Sequence, residues 1–305
     1  MVSGSGHTSR SLPAAARLTH IPEGSPLSAR SLLVCADDFG LHPAIDSAVL
    51  ELAGRARLSG TGCLVDGPSF AMNAAALRQS GLQAGLHLNF TEALGREGLY
   101  LPLGQLIRAC WARRLDPIAV RGQIAAQLAR YEDVMGRVPD YVDGHQHVHQ
   151  FPQIRDALHA ELAARYPAGG PRPWLRCTVA ASMRGMPPMA RFKAGVIALL
   201  GARSQCRHAR RMGFEMNRGL LGVYGFRGGA AVYAVLLRAW LGAAQPGDLI
   251  MCHPSAQAVP DDALGDQRRA EFEVWSSDEV GEWLQRFNLQ IHRGVSCRPG
   301  PAHAA

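Results

Sequence analysis

Ser31-Leu32-Leu33-Val34-Cys35-Ala36-Asp37-Asp38-Phe39-Gly40 is the stretch from which the rest of the chain can be read. Five of its first six residues are apolar and none is charged, and the run ends on two acids. A continuous apolar run reads as a strand buried on both faces, as in parallel sheets covered by helices; a strand with one wet face would alternate. Ionised carboxylates cannot be left unpaired in such an interior, so Asp37 and Asp38 mark the end of the strand. Pro43 then falls in the first turn of a helix reaching about Arg57, where its missing N–H costs nothing.

The same alternation continues outward. Residues 61–65 read as a second strand, Phe70–Gln79 as its helix, and 82–88 as a third strand. Pro117–Met135 is a predicted helix, Tyr141–Gly144 a short strand, and Pro152 opens a helix reaching about Tyr166. Residues 174–179, 248–252 and 289–292 read as later strands, with helices near 187–202, 229–243 and 266–286. Residues 90–116 exceed an ordinary strand-to-helix connection and read as a loop excursion over an active site. The Gly/Arg-rich segment 203–228 has no assignment; within it, Arg203 to Arg211 reads as a solvated helix face, with an anionic-ligand site as the rival reading. Strand–helix alternation implies an α/β fold with a parallel sheet, either a barrel or a doubly wound open sheet. One domain is expected over 29–295, between disordered tails at 1–28 and 296–305. An organellar transit peptide is the alternative for the first tail.

With 47% hydrophobic and 19% charged residues, the chain has the balance of a soluble globular enzyme. Its longest apolar run, near 196–200, is far short of the ~20 residues that cross a bilayer, which argues against stable membrane insertion. Net charge is +7, but the basic residues are scattered and Lys193 is the one lysine. A nucleic-acid binder concentrates charge on a stripe with aromatic residues between, so no nucleic-acid partner is expected. Seven cysteines (35, 63, 110, 177, 206, 252 and 297) show no CxxC spacing, which points to reduced, mostly buried thiols in a cytoplasm.

Four polar clusters fall where predicted strands end, and in a parallel α/β fold those ends share one face. In the first, Asp38 either caps the following helix or one carboxylate binds a cation while its neighbour stays free as general base. In the second, His87 lies in a strand between leucines that point to the opposite face; alone it would read as a satisfied core histidine. The third, Asp143-Gly144-His145-Gln146-His147-Val148-His149, carries three alternating histidines that project in one direction if extended. Neutral imidazole is the commonest protein ligand for transition metals, so metal binding or catalysis is the reading here, though one histidine can serve as acid, base or substrate contact. The fourth, Ile250-Met251-Cys252-His253-Pro254, again ends a strand on a histidine, an acid–base candidate in this company. Asp and His groups on separate strands satisfy a three-ligand site with an open position for water.

The motifs ADDFGLHPAI, GLHLNFTE, YVDGHQHVHQFPQI and LIMCHP, in this order and spacing, resemble those of the YdjC-like carbohydrate deacetylases. That family includes the chitooligosaccharide deacetylases and the hopanoid-biosynthesis-associated deacetylases. The resemblance runs from about residue 31 to 285 and implies a deformed (β/α) TIM-like barrel. It implies one divalent ion, Mg2+ or Zn2+, on Asp38, His87 and His145, with Asp37 as general base and His253 as general acid. Arg176, in the run Trp174-Leu175-Arg176, matches a position where the family places an arginine near the active site. Asn89, His147, Arg176 and Asp66 are expected to contact substrate. Asp66 stands where the family often has asparagine, and Gln146 replaces the histidine of the HHHVH form. The implied reaction removes an N-acetyl group from an amino sugar or small glycan, with an N-acetylated sugar or glycolipid as substrate and a homodimer compatible with it. Two rivals stand beside this reading. One is a phosphoesterase or amidohydrolase of the PHP type, which usually places its first HxH after the first strand. The other is a non-catalytic carbohydrate-binding protein on the same fold.

Overall fold

The computed structural model describes Met1 and residues 29–293; the expected tails and Cys297 lie outside the described residues. β1 (Arg30–Phe39) is the hub. It pairs in parallel with β2 (Gly60–Cys63) on one side and β7 (Leu249–Cys252) on the other, while its first residues pair with β8 (Leu289–Ile291). Outward from β2 lie β3 (Gln83–Leu88), β4 (Tyr141–Gly144) and β5 (Trp174–Leu175); beyond β7 lies β6 (Leu220–Leu221), giving the order β5-β4-β3-β2-β1-β7-β6. Single parallel bridges, Leu175 to Met216 and Ala180 to Leu220, join the two ends. All strand pairs are parallel, and the result is a deformed TIM-like barrel, as expected.

Period-two geometry sorts the side chains of these strands. Leu33 and Cys35 of β1, Tyr141 of β4, Trp174 of β5, Leu220 of β6, and Leu249 and Met251 of β7 form one small apolar cluster. Their neighbours Leu32, Val34, Ala36, Val142, Leu221 and Ile250 join the large cluster beneath the surrounding helices. The first set fills the barrel and the second seals it against its helical coat. Continuing the inward parity by two residues reaches Asp37, Asp143, Arg176 and His253. The polar groups thus sit one layer above the apolar plug, at the carboxyl ends of the strands.

Helices α1 (Pro43–Gly54), α2 (Phe70–Gln79), α4 (Pro117–Met135) and α5 (Pro152–Arg165) fall close to their predicted limits because their stop signals are local. Asp116 caps α4 through the Ile118 amide, and Gly136 closes it in the left-handed region at φ 68°. The cap of α1 is the His42 side chain, which accepts from the Ala44 amide, so Asp38 is free of that duty.

Several expectations are corrected. Residues 90–116 are not a loop throughout, since Leu103–Trp111 forms α3. The strand expected over 174–179 pairs regularly only at Trp174 and Leu175. The helix near 187–202 is α6 (Pro188–Ile197) followed by a π-turn at Ala198–Ala202, kinked where Gly201 has φ 118°, and it continues as α7 (Arg203–Arg211). After α8 (Gly229–Ala243), the single helix expected at 266–286 is two, α9 (Gln267–Ser276) and α10 (Asp278–Arg286), broken where Ser277 turns extended at ψ 154°. The six described cysteines are buried and free, as expected.

Candidate metal centre

Consecutive strand residues point to opposite faces, so Asp37 and Asp38 would ordinarily part company. A bulge prevents it. The register of β1 against β2 shifts between Ala36 and Phe39, and Asp38 takes a left-handed φ of 72°. That conformation costs a non-glycine residue about 1–3 kcal/mol and persists only where the surroundings enforce it. Both carboxylates consequently line one cleft of about 690 Å³.

The histidine run is not extended, the condition under which its three side chains would project together. β4 ends at Gly144, and His145–Gln150 is a 3-10 turn in which Gln146 and His147 are left-handed (φ 52° and 62°). The three histidines therefore part. His145 and His147 line the cleft, whereas His149 is fully buried and donates through Nε2 to the Arg176 carbonyl at 3.2 Å. His149 ties the turn to β5 and takes no part in the site. His147 is driven down to about 3 by burial and then by Arg176, so its imidazole is neutral.

Ligand atoms of Asp38, His87 and His145 lie within 4.8 Å of one another. His145 Nδ1 is 3.0 Å and His87 Nε2 3.4 Å from Asp38 Oδ1. His87 Nδ1 faces Asp143 Oδ1 at 2.7 Å. A carboxylate can only accept there, so Nδ1 carries a proton, which leaves Nε2, turned toward Asp38, as the atom that an ion would take in place of a second proton. Room for that ring comes from Gly62 on β2, where a Cβ would stand 2.9 Å from His87 Nδ1. Gly62→Ala is therefore expected to displace His87 from Asp143 and to weaken metal binding by about 10- to 100-fold in an isothermal titration; unchanged affinity would show that His87 is held by something else.

Arg176 lies beneath the cleft rather than in it. Fully buried, it grips Asp37 with two bonds of 2.7 Å and meets Asp143 Oδ2 at 2.8 Å. Burial pushes Asp37 upward, but Arg176 and His87 bring it down to about 2. Burial is likewise outweighed at Asp38, where Arg268 and His145 hold the carboxyl well below the usual range. Three buried carboxylates thus face two buried guanidinium groups. The shortfall of positive charge shows at His87: burial opposes its charge, yet Asp143 and Asp37 lift it to about 10. A divalent cation among these donors would supply the missing charge, and the mixed carboxylate–imidazole set suits Mg2+, Zn2+ and their neighbours.

His253, at the end of β7, places Nε2 3.8 Å from Asp37 Oδ2. Its backbone amide donates to Glu271 Oε2 at 2.6 Å, and Tyr224 donates to the other oxygen of Glu271 at 2.5 Å. Arg268 is a member of the site that no sequence motif announces. It reaches from α9 to Asp38 Oδ2 at 2.8 Å, and its guanidinium also pairs with Asp262. Sequence offers little signal for Arg268 or Glu271, because charged residues on an amphipathic helix read as its solvated face.

Like Arg176, two other expected substrate contacts fall outside the cleft lining. Asn89 is buried and spends its side chain on the Thr91 and Glu92 amides and the Glu92 carbonyl, which shapes the turn after β3. Asp66 is held by Arg130 and the Tyr100 hydroxyl. Neither lines the cleft.

The YdjC-like protein family matches residues 31–286. Among curated proteins, the carbohydrate deacetylase of Homo sapiens is 32% identical over 146 residues, 44% of this chain and 45% of its own length. The chitooligosaccharide deacetylase of Serratia marcescens is 35% identical over 143 residues, covering 44% of this chain and 56% of its own length. The chain thus spans about half the length of the curated relatives it matches. Of solved structures, a proposed cellobiose-phosphate cleavage protein from Enterococcus faecalis aligns with a TM-score of 0.62 at 21% identity, over 87% of this chain and 97% of its own. That likeness is one of fold.

Proposed function

Because the chain belongs to the YdjC-like protein family, we propose that it is a metal-dependent hydrolase removing the N-acetyl group from an amino sugar or a small N-acetylated glycan. The observation that carries this is the convergence of Asp38, His87 and His145 within 4.8 Å, on the floor of a cleft that also exposes Asp37 and His253. The names of the human and Serratia relatives support the substrate class.

Asp38, His87 and His145 would hold one divalent ion, which when bound polarises a carbonyl and acidifies water. Asp37 takes the proton of the water that adds to the acetamide carbon. Arg176 and His87 hold it below the usual carboxylate range despite its burial, so it is ionised and able to accept. Arg176 fixes both of its oxygens, which sets the direction from which it can accept. His253 delivers a proton to the nitrogen as the C–N bond breaks, leaving acetate and a free amine; at 3.8 Å from Asp37 it lies beyond a direct hydrogen bond, so the captured proton returns through a water or the reacting group. His147, neutral and lining the cleft, is placed to hydrogen-bond a sugar hydroxyl.

A second ion, as a PHP-type phosphoesterase needs, has no independent donor group among the described residues. The other donor group, Asp37, His87 and Asp143, shares His87 and has Arg176 lodged against both carboxylates. We also propose one barrel domain over 29–295 and a cytoplasmic setting, supported by the six buried, free cysteines. No helix among the described residues is long and apolar enough to cross a membrane.

The test is acetate release from a panel of N-acetylated mono- and disaccharides, with and without chelator. Turnover on at least one, abolished by chelation and restored by Mg2+ or Zn2+, is the expected result. His145→Ala should bind the ion at least about tenfold more weakly. Phosphatase activity with two tightly bound ions per chain would sink the proposal.

A further inference from the structure

Ten of the 32 basic residues, and none of the 25 acidic ones, fall between residues 162 and 214. Elsewhere acids outnumber bases, so the net charge of +7 resides wholly in this span. Of the ten, Arg165 and Arg176 are the ones held in ion pairs among the described residues. Arg184, Arg191, Arg203, Arg207, Arg210 and Arg211 are exposed.

The same span carries an apolar stripe. Met189, Phe192 and Val196 of α6 and Leu199 of the π-turn follow one another at helical spacing on one face, 61%, 67%, 39% and 79% exposed. The opposite face, Ala190 and Ala194, is what packs on the barrel. Large apolar side chains scattered singly over a surface are ordinary, but four in a row on one helix face mark an interaction site. Phe192 and Val196 also line the cleft, so the stripe runs to its mouth.

From these two features we infer that α6 and α7 seat on an anionic lipid bilayer surface, with the stripe immersed at the headgroup boundary and the arginines on the lipid phosphates. A short helix with an apolar face and a basic flank lies in such an interface, and its attraction grows with anionic lipid content. At ten residues α6 is far too short to span a bilayer of about 30 Å. Duplex nucleic acid fits less well, because phosphate contacts use the arginines and leave the stripe uncovered. Seated this way, the cleft opens toward the membrane.

The measurement is co-sedimentation of the full chain with vesicles of phosphatidylcholine alone and of phosphatidylcholine mixed with phosphatidylglycerol. Binding to the mixed vesicles, weakened by salt and at least about tenfold weaker with phosphatidylcholine alone, is expected. Met189→Glu with Leu199→Glu, both at exposed sites outside the cleft, should abolish it without changing the melting temperature. Arg203→Glu with Arg207→Glu should lower it at least about tenfold. The inference is overturned if the wild type stays in the supernatant with both vesicle types, or if the Met189→Glu/Leu199→Glu protein still sediments with the mixed vesicles. It also falls if tight, salt-sensitive binding to duplex DNA survives that double substitution.

Discussion

Asp37→Asn should lower the turnover of acetate release by about a hundred- to ten-thousandfold, the contribution of a positioned general base, while the ion stays bound at full stoichiometry. Removing the negative charge leaves Asp38, His87 and His145 untouched, and all three donors belong to other side chains. The new amide can accept only one of the two hydrogen bonds that Arg176 now donates to Asp37. The opposing N–H groups will repel, so a modest fall in melting temperature accompanies the loss of activity. Turnover, metal content and thermal unfolding measured on one preparation separate these effects. If the Asp37→Asn protein turns over at the wild-type rate, Asp37 is a partner of Arg176 and nothing more.

Removing the other member of that pair should hit stability instead. Arg176→Met leaves Asp37 and Asp143, 2% and 0% exposed, facing each other with no guanidinium between them. Breaking a buried ion pair from one side costs about 3–5 kcal/mol, because the uncompensated charge stays behind. For a domain of this size that is a drop of roughly 10 °C in melting temperature. Adding Asp143→Asn to Arg176→Met should recover part of the loss, since one of the stranded charges is gone; full additivity of the two losses would contradict the shared-partner geometry. Arg176→Lys should fall between, as a single ammonium cannot reproduce the planar fork that bonds both oxygens of Asp37 while meeting Asp143. A melting temperature within a couple of degrees of wild type for Arg176→Met would show that the two carboxylates are satisfied in some other way.

Much of the site can be anticipated from residue order because its members sit where apolar runs stop. Asp37, Asp38, His87, His145 and His253 each close a buried strand, and the ends of parallel strands must share a face. Parity along β1, β4 and β7 accounts for the inward direction of Asp37, Asp143 and His253. Asp38 breaks that parity, and only the bulge brings it in. Asn89 and Asp66 depart from expectation for the complementary reason. Each stands just past a strand end, but local hydrogen bonds turn the Asn89 side chain into its own loop, and Arg130 and Tyr100 hold Asp66 away from the cleft.

Residue order by itself determined the helices and strands with local punctuation, the parallel α/β class and the strand ends on which the chemistry sits. Proline, a capping side chain or a left-handed glycine acts within a turn of itself, so a short window contains the whole cause. The tertiary structure alone decided which charges are buried, where the histidine run turns and what opposes each carboxylate. Arg268 meets Asp38 across 230 positions, and Arg176 meets Asp37 across 139. Electrostatic partners that distant leave no trace in any window, because the energy of a buried charge depends on what folding places beside it.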